Sequence, residues 1–335
     1  MEVIELMDAF NWTTVICATF VTAYFCFTVQ RCKALHPNLR FFLIQIVLPL
    51  NFVGSTRLLG ALNDKFEFFH HDGTYCRIVN FVNVFATALS DCTMLAIVAE
   101  RCVATYNRKH YENQKSNMAK IFAVLMLIHG VCYNFVCGYL GSKVEATFPK
   151  KCMYLDRWPF LDSMSFIICA IFSIGPMPLV IYLYVYNKRL KEDRRALESL
   201  TTRYQLSENV LVLECLFYVF IICFGIHGNC GLITMEIAGY MSLFVESPDL
   251  WWINFLAHIS HMFVDFVALT MELIFFYYHP VIRNRVSKDL AWLLPRVYPE
   301  EGVTTKNKDF ALNENGNGED YFNQLQDQWG HKLGS

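Results

Sequence analysis

The sequence predicts an all-α membrane protein: a bundle of seven transmembrane helices followed by a short amphipathic helix. Three observations carry this. Of 335 residues, 55% are hydrophobic and only 17% charged, whereas a soluble domain carries about 25% charged residues. Seven stretches reach the roughly 20 predominantly apolar residues that cross a hydrocarbon core: 13–35, 39–63, 76–104, 118–141, 161–187, 208–233 and 253–278. These runs are apolar all round, whereas a β-barrel shows alternating segments of about ten residues. Finally, Lys and Arg are asymmetric over the loops. With the N-terminus outside, the inner loops and residues 279–296 after the last span hold eighteen, and the outer loops six. Cytoplasmic loops carry the excess of basic residues, which sets this orientation.

The first span follows an acidic stretch, 1–12, read as the extracellular N-terminus. No cleavage signature follows it, so the first span is expected to act as its own insertion signal. Asn11 opens an Asn-Trp-Thr sequon on this outer side, a candidate glycosylation site. The second span carries Arg57, the only fixed cation deep in any span, with Asp91, Asp265 or Glu272 as its expected counter-charge. The third span begins near Cys76 and ends at Arg101. That separation is about 37 Å of helix at 1.5 Å per residue, so one helix links the outer rim to the inner surface. Most of the thirteen cysteines fall inside apolar runs, where Cys is a small hydrophobe. Cys76 and Cys152 lie at the oxidising outer face, with Cys230 borderline, and a Cys76–Cys152 bridge is expected.

Polar residues within the spans are patterned. At 100° per residue, Asn80, Asn83, Thr87, Ser90, Asp91 and Arg101 share an arc of about 100° on the third helix, with Glu100 off that face. On the seventh helix, His258, His261, Asp265 and Glu272 fall within roughly 60°. Such groups face the bundle interior or a water-filled cavity. Arg57, Asp91, Asp265 and Glu272 are read as an internal polar network. The outer-half groups are read as ligand contacts: Asn83, Thr87, Phe166, Phe224, His227, His258 and His261, with Phe81 and Met262 added to the lining. No carboxylate sits high on the third helix, so an obligate amine ligand is not expected. The charged loop 188–207 reads as solvated extensions of its flanking spans. Residues 281–294 read as an amphipathic inner-surface helix against membrane lipid, and 295–335 as a disordered cytoplasmic tail. The receptor domain is 13–280.

Several functions are disfavoured. A net charge of −2 gives no field for nucleic acid. No HExxH, GxSxG, P-loop or kinase motif occurs, so neither an enzyme nor a metal or other cofactor is expected. No internal repeat suggests a transporter built from duplicated halves. A ligand-gated channel or transporter remains the main alternative, but the first, fourth and fifth spans are nearly free of charge. Nothing in the sequence predicts an oligomer.

Seven spans, an outer N-terminus and Glu100-Arg101 at the inner end of the third helix resemble a G-protein-coupled receptor. The rhodopsin-like pattern is incomplete: Cys102 follows Glu100-Arg101, the sixth span has no proline, and "YYHPVI" (Tyr277 to Ile282) ends the seventh. "ERCVATYNRKHYE" (100–112), "RYQLSENV" (203–210), "LHPNLRFFL" (35–43) and "YHP" resemble the nematode serpentine chemoreceptors of the Sra superfamily, class e or class ab. The resemblance implies detection of environmental chemicals at the plasma membrane of sensory neurons, at cilia, and coupling to a heterotrimeric G protein. Glu100, Arg101, Tyr106, Arg108 and Arg203 are the residues it points to for coupling.

Overall fold

The computed structural model describes residues 2–32, 35–70, 73–107, 117–143, 146–148, 151–153, 157–193, 200–245 and 249–293. The described residues form helices and connecting turns, and seven helical stretches are long and apolar enough to cross a membrane. In chain order the helices are α1 (Glu2–Arg31), α2 (Pro37–Phe66), α3 (Thr74–Tyr106), α4 (Asn117–Gly141), α5 (Pro159–Ile174), α6 (Met177–Asp193), α7 (Leu200–Val219), a π-helical segment (Phe220–Gly228), α8 (Asn229–Phe244), α9 (Leu250–Tyr278) and α10 (Pro280–Leu293). The fifth span is α5 with α6; the sixth is α7, the π segment and the start of α8. Residues 295–335 and Arg108 lie outside the described residues, as do the side chains of Arg203, Phe224 and His227.

Local chemistry sets the boundaries. Pro37 opens α2, where its missing N–H costs nothing, and His36 Nδ1 accepts from Asn38 N at 3.2 Å. Glu67 ends α2 in the left-handed region, φ 50°, its N–H returning to Asn63 O. Asp249 caps α9 by accepting from Trp251 N at 2.9 Å. Pro280 holds His279 extended and so ends α9. The fifth span breaks at Gly175-Pro176. Proline has no N–H to continue the ladder, and the chain turns so tightly that a Cβ on Gly175 would sit 2.5 Å from Ile171 O. The sixth helix carries its irregularity as a π segment instead of a proline kink. It is also longer than the expected 208–233, running from Leu200 to Phe244. Likewise α1 starts at Glu2, so Asn11 lies within a helix, half-buried, with Oδ1 fully buried.

The tightest packing is α2 on α3, α8 on α9, α5 on α8 and α3 on α4. A large apolar core (Phe25, Phe42, Ile46, Met94, Ile97, Leu216, Phe220, Met271 and Phe275 among others) fills the half nearer Arg101. Outward faces stay apolar, with Phe20, Ile121, Leu125, Phe135 and Ile171 exposed, as a lipid solvent requires. The polar seams of α3 and α9 face each other across the other half.

Candidate functional site

One end of the bundle is closed by a tether. Cys76 and Cys152 form a disulfide, with Cα atoms 5.3 Å apart. Asn80 Nδ2 donates to Cys152 O at 2.7 Å, and Cys152 N donates to Asp64 Oδ1 at 2.7 Å. Met153 lies against α2 so closely that a Cβ on Gly60 would meet its Cγ at 2.4 Å. The segment before α5 is thus pinned to both α2 and α3.

Beneath it lie two adjoining cavities. A vestibule of about 710 Å³, open mouth included, is lined by Asp8, Asp64, Lys151, Asn254 and His258 among others. A deeper cavity of about 550 Å³ is lined by Leu50, Val53, Asn83, Thr87, Ser90, Asp91, Ser165, Phe166, Cys169 and Val264. Arg57, Asp162 and His261 line both. Small-molecule sites are concave, largely apolar and carry a few convergent polar groups, and the lining of the deeper cavity has that character.

Each polar residue of the α9 seam reaches a different neighbour. His258 Nε2 lies 3.0 Å from Asp8 Oδ1 on α1. His261 Nε2 lies 2.8 Å from Asp162 Oδ2 on α5. Asp265 pairs with Arg57 on α2, and Glu272 accepts from Thr22 on α1. Of the three candidate counter-charges for Arg57, Asp265 is therefore its partner. Leaving buried polar groups such as these unpartnered is costly, most of all for the Arg57–Asp265 ion pair, so the seam fixes how α1, α2, α5 and α9 meet.

Asn83, Thr87, Phe166 and His261 line the deep cavity, and His258 lines the vestibule. Phe224 and His227 belong to the π segment, their side chains outside the described residues. Phe81 departs from expectation. It is 53% exposed and stacks on Phe85, on the outward side of α3. Met262 is not among the lining residues either. Two residues read from sequence as purely structural, Arg57 and Asp91, also line the deep cavity. Asp162, the acid linking α5 to α9, went unread. Its signal was a carboxylate in the first turn of an apolar helix, where an acid suits the helix dipole.

The opposite end is built around Arg101. It is 0% exposed and held in a fork by its neighbour: Nε to Glu100 Oε2 and Nη2 to Glu100 Oε1, both 2.6 Å. Arg101 Nη1 donates to Asn209 Oδ1 on α7 at 2.9 Å. The pair thus ties the third helix to the sixth. Asn187 on α6 donates to Thr105 Oγ1 at 3.0 Å, and His36 N donates to Glu208 Oε1 at 3.3 Å. His279 is buried close by; burial, reinforced by the Arg101 charge, pushes it down to about 4. Tyr106 is exposed at the edge of α3, near Tyr186.

Seven membrane-capable helices, a disulfide from α3 to the segment before α5 and a buried Glu-Arg pair are the features of a serpentine receptor. A sequence model described as "Serpentine type 7TM GPCR receptor class ab chemoreceptor" matches residues 2–260, and the chain belongs to that family. This is a receptor family, and the chain is a multi-pass membrane protein. Among relatives from Caenorhabditis elegans, "Serpentine receptor class beta-6" is 27% identical over 140 residues, 41% of this chain and 40% of the relative. "Serpentine receptor class alpha/beta-14" is 24% identical over 198 residues, 55% of this chain and 50% of the relative. The chain therefore spans half or less of the length of these curated relatives.

Proposed function

We propose that this chain is a chemosensory receptor of the neuronal plasma membrane, at the sensory cilium. It binds a small environmental chemical in the adjoining cavities and activates a heterotrimeric G protein at the Arg101 end. The disulfide end faces outward and the Arg101 end faces the cytoplasm, in keeping with the loop charges. One observation carries the reading: α3 bears both features. Asn83, Thr87 and Asp91 line the deep cavity, and Arg101 lies about 15 Å further along at 1.5 Å per residue, tied to the sixth helix through Asn209. A ligand that changes how α3 sits against its neighbours bears directly on that tie.

In this mechanism the resting state keeps Arg101 between Glu100 and Asn209. Agonist binding favours outward movement of the sixth helix, which breaks the Asn209 bond and opens a groove for a partner helix. Tyr106, Arg108 and Arg203 belong to the same end of the bundle by sequence position and complete the docking surface. The test is a screen of small volatile and water-soluble chemicals against the purified receptor. Nucleotide exchange on a heterotrimeric G protein is read in nanodiscs, with ion flux read in parallel in liposomes. Ligand-stimulated exchange without flux supports the receptor reading; ligand-gated flux without exchange replaces it with a channel.

A further inference from the structure

The ionisable groups around the cavities are not all matched by a partner. Arg57 is matched by Asp265, His261 faces Asp162, and His258 faces Asp8. Asp91 is left over. It is 0% exposed, lines the deep cavity, and neither of its carboxylate oxygens accepts a hydrogen bond from a described N–H or O–H group. The thiol of Cys169, a weak donor, is its neighbour. Among the described residues no other buried carboxylate has both oxygens in this condition.

The surrounding groups present acceptors. Thr87 Oγ1 spends its proton on Asn83 O at 3.0 Å, and Ser90 Oγ spends its proton on Thr87 O at 2.7 Å. Asn83 Nδ2 is committed to Val53 O and Thr56 Oγ1. Asp91 thus shares the cavity with the Thr87 and Ser90 hydroxyls, whose donors are turned to backbone carbonyls, and with walls of Leu50, Val53, Phe166 and Val264. A buried carboxylate whose one donor is a weak thiol is costly, and a partner that brings N–H groups and positive charge offsets that cost.

Resting on the receptor reading above, we infer that the deep cavity takes a small organic amine, its ammonium anchored on Asp91 and its apolar body against Phe166 and Val264. This reverses the expectation from sequence, which looked for a carboxylate only high on α3; the cavity instead reaches down to Asp91. Arg57, bound to Asp265, stands at the vestibule side and discriminates against a second positive charge.

The test uses benzylamine, benzyl alcohol and benzoate, and the matched trio hexylamine, hexanol and hexanoate, on full-length receptor in nanodiscs. Thermal stabilisation is the readout, so G-protein coupling plays no part. The amines raise Tm by about 3 °C or more at saturation, and the alcohols and carboxylates by clearly less. Asp91→Asn, which keeps the size and loses the charge, removes the amine shift and keeps any alcohol shift. Should Asp91→Asn fail to fold, the comparison among probes on the parent protein decides alone. Stabilisation by alcohol or carboxylate without amine overturns the inference and leaves the cavity reading standing. An undiminished amine shift in Asp91→Asn overturns it as well. A sodium chloride arm against sucrose at matched osmolality separates an inorganic cation: sodium stabilisation that blocks the amine shift overturns the organic amine. No shift from any probe overturns both the inference and the cavity reading.

Discussion

Asn209→Ala is the cleanest perturbation of the coupling end. Arg101 Nη1 and Asn209 Oδ1 are 2.9 Å apart, and both residues are almost wholly buried. A hydrogen bond to a charged group contributes about 1.5–3 kcal/mol. If the active state lacks this bond, losing it raises only the resting state. At about 1.4 kcal/mol per factor of ten, the resting-to-active equilibrium shifts roughly 10- to 150-fold. Glu100 still holds Arg101 through two 2.6 Å contacts, so no bare charge is left in the core. Arg101→Ala, by contrast, strands Glu100 at a cost of about 3–5 kcal/mol. The assay is agonist-free nucleotide exchange on a purified heterotrimeric G protein, with matched amounts of folded receptor. Basal exchange rises about tenfold or more, up to the ceiling set by full activation. Parent-level basal exchange from a well-folded Asn209→Ala receptor would refute the idea that this bond restrains the sixth helix.

Other outcomes follow from the same geometry. Asn83→Ala and His261→Ala weaken agonist potency by about tenfold each, roughly the net worth of one buried hydrogen bond; dose–response curves at equal surface expression check this. Gly54→Ala places a Cβ 2.9 Å from Asp265 Oδ1, forcing the Arg57 pair apart and costing about 1–3 kcal/mol of overpacking. Gly138→Ala, whose Cβ meets nothing within 4 Å, does not lower Tm and raises it by the equivalent of up to about 1 kcal/mol. Removing the Cys76–Cys152 bridge, which joins residues 76 apart, costs at most about 4–5 kcal/mol by loop entropy. The loss is smaller if the unfolded spans stay inserted, and Tm of the Cys76→Ala/Cys152→Ala receptor measures it. His279 is held neutral by burial and by Arg101, from 6.5 down to about 4. The unfolded chain then binds a proton that the folded one refuses. Stability is full above pH 6.5 and falls as pH drops toward 4, by up to about 3 kcal/mol; His279→Gln flattens that pH dependence of Tm.

The spans were legible because a bilayer imposes a length and a composition that soluble folds do not. Their true ends were less so. The polar first turns of α7 and the apolar end of α8 run past the expected 208–233 span, and the α5–α6 break at Gly175-Pro176 lies inside an apolar run. Helical periodicity correctly brought the α3 and α9 seams inward, yet it cannot say which helix stands opposite. Arg57 had three candidate partners, and the Asp162–His261 link joins residues 99 apart with no local signature. Phe81 was placed by depth alone, although the same wheel puts it about 80° beyond the edge of the polar arc. The separation of ligand residues from a structural network was also too clean, since Arg57 and Asp91 line the cavity. Glu100 was set off the polar face of α3 by its angle, but a flexible carboxylate beside Arg101 reaches round to pair with it.

The central claim is that a ligand in these cavities is read out through Arg101. Its most direct measurement is agonist-stimulated nucleotide exchange, compared with agonist affinity, for the parent receptor and Arg101→Ala in nanodiscs at matched folded amounts. Agonist binding within a few-fold of the parent, together with a near-complete loss of stimulated exchange, is the predicted result. Equal stimulated exchange from both receptors would contradict it and leave Glu100-Arg101 as a marker of the membrane boundary.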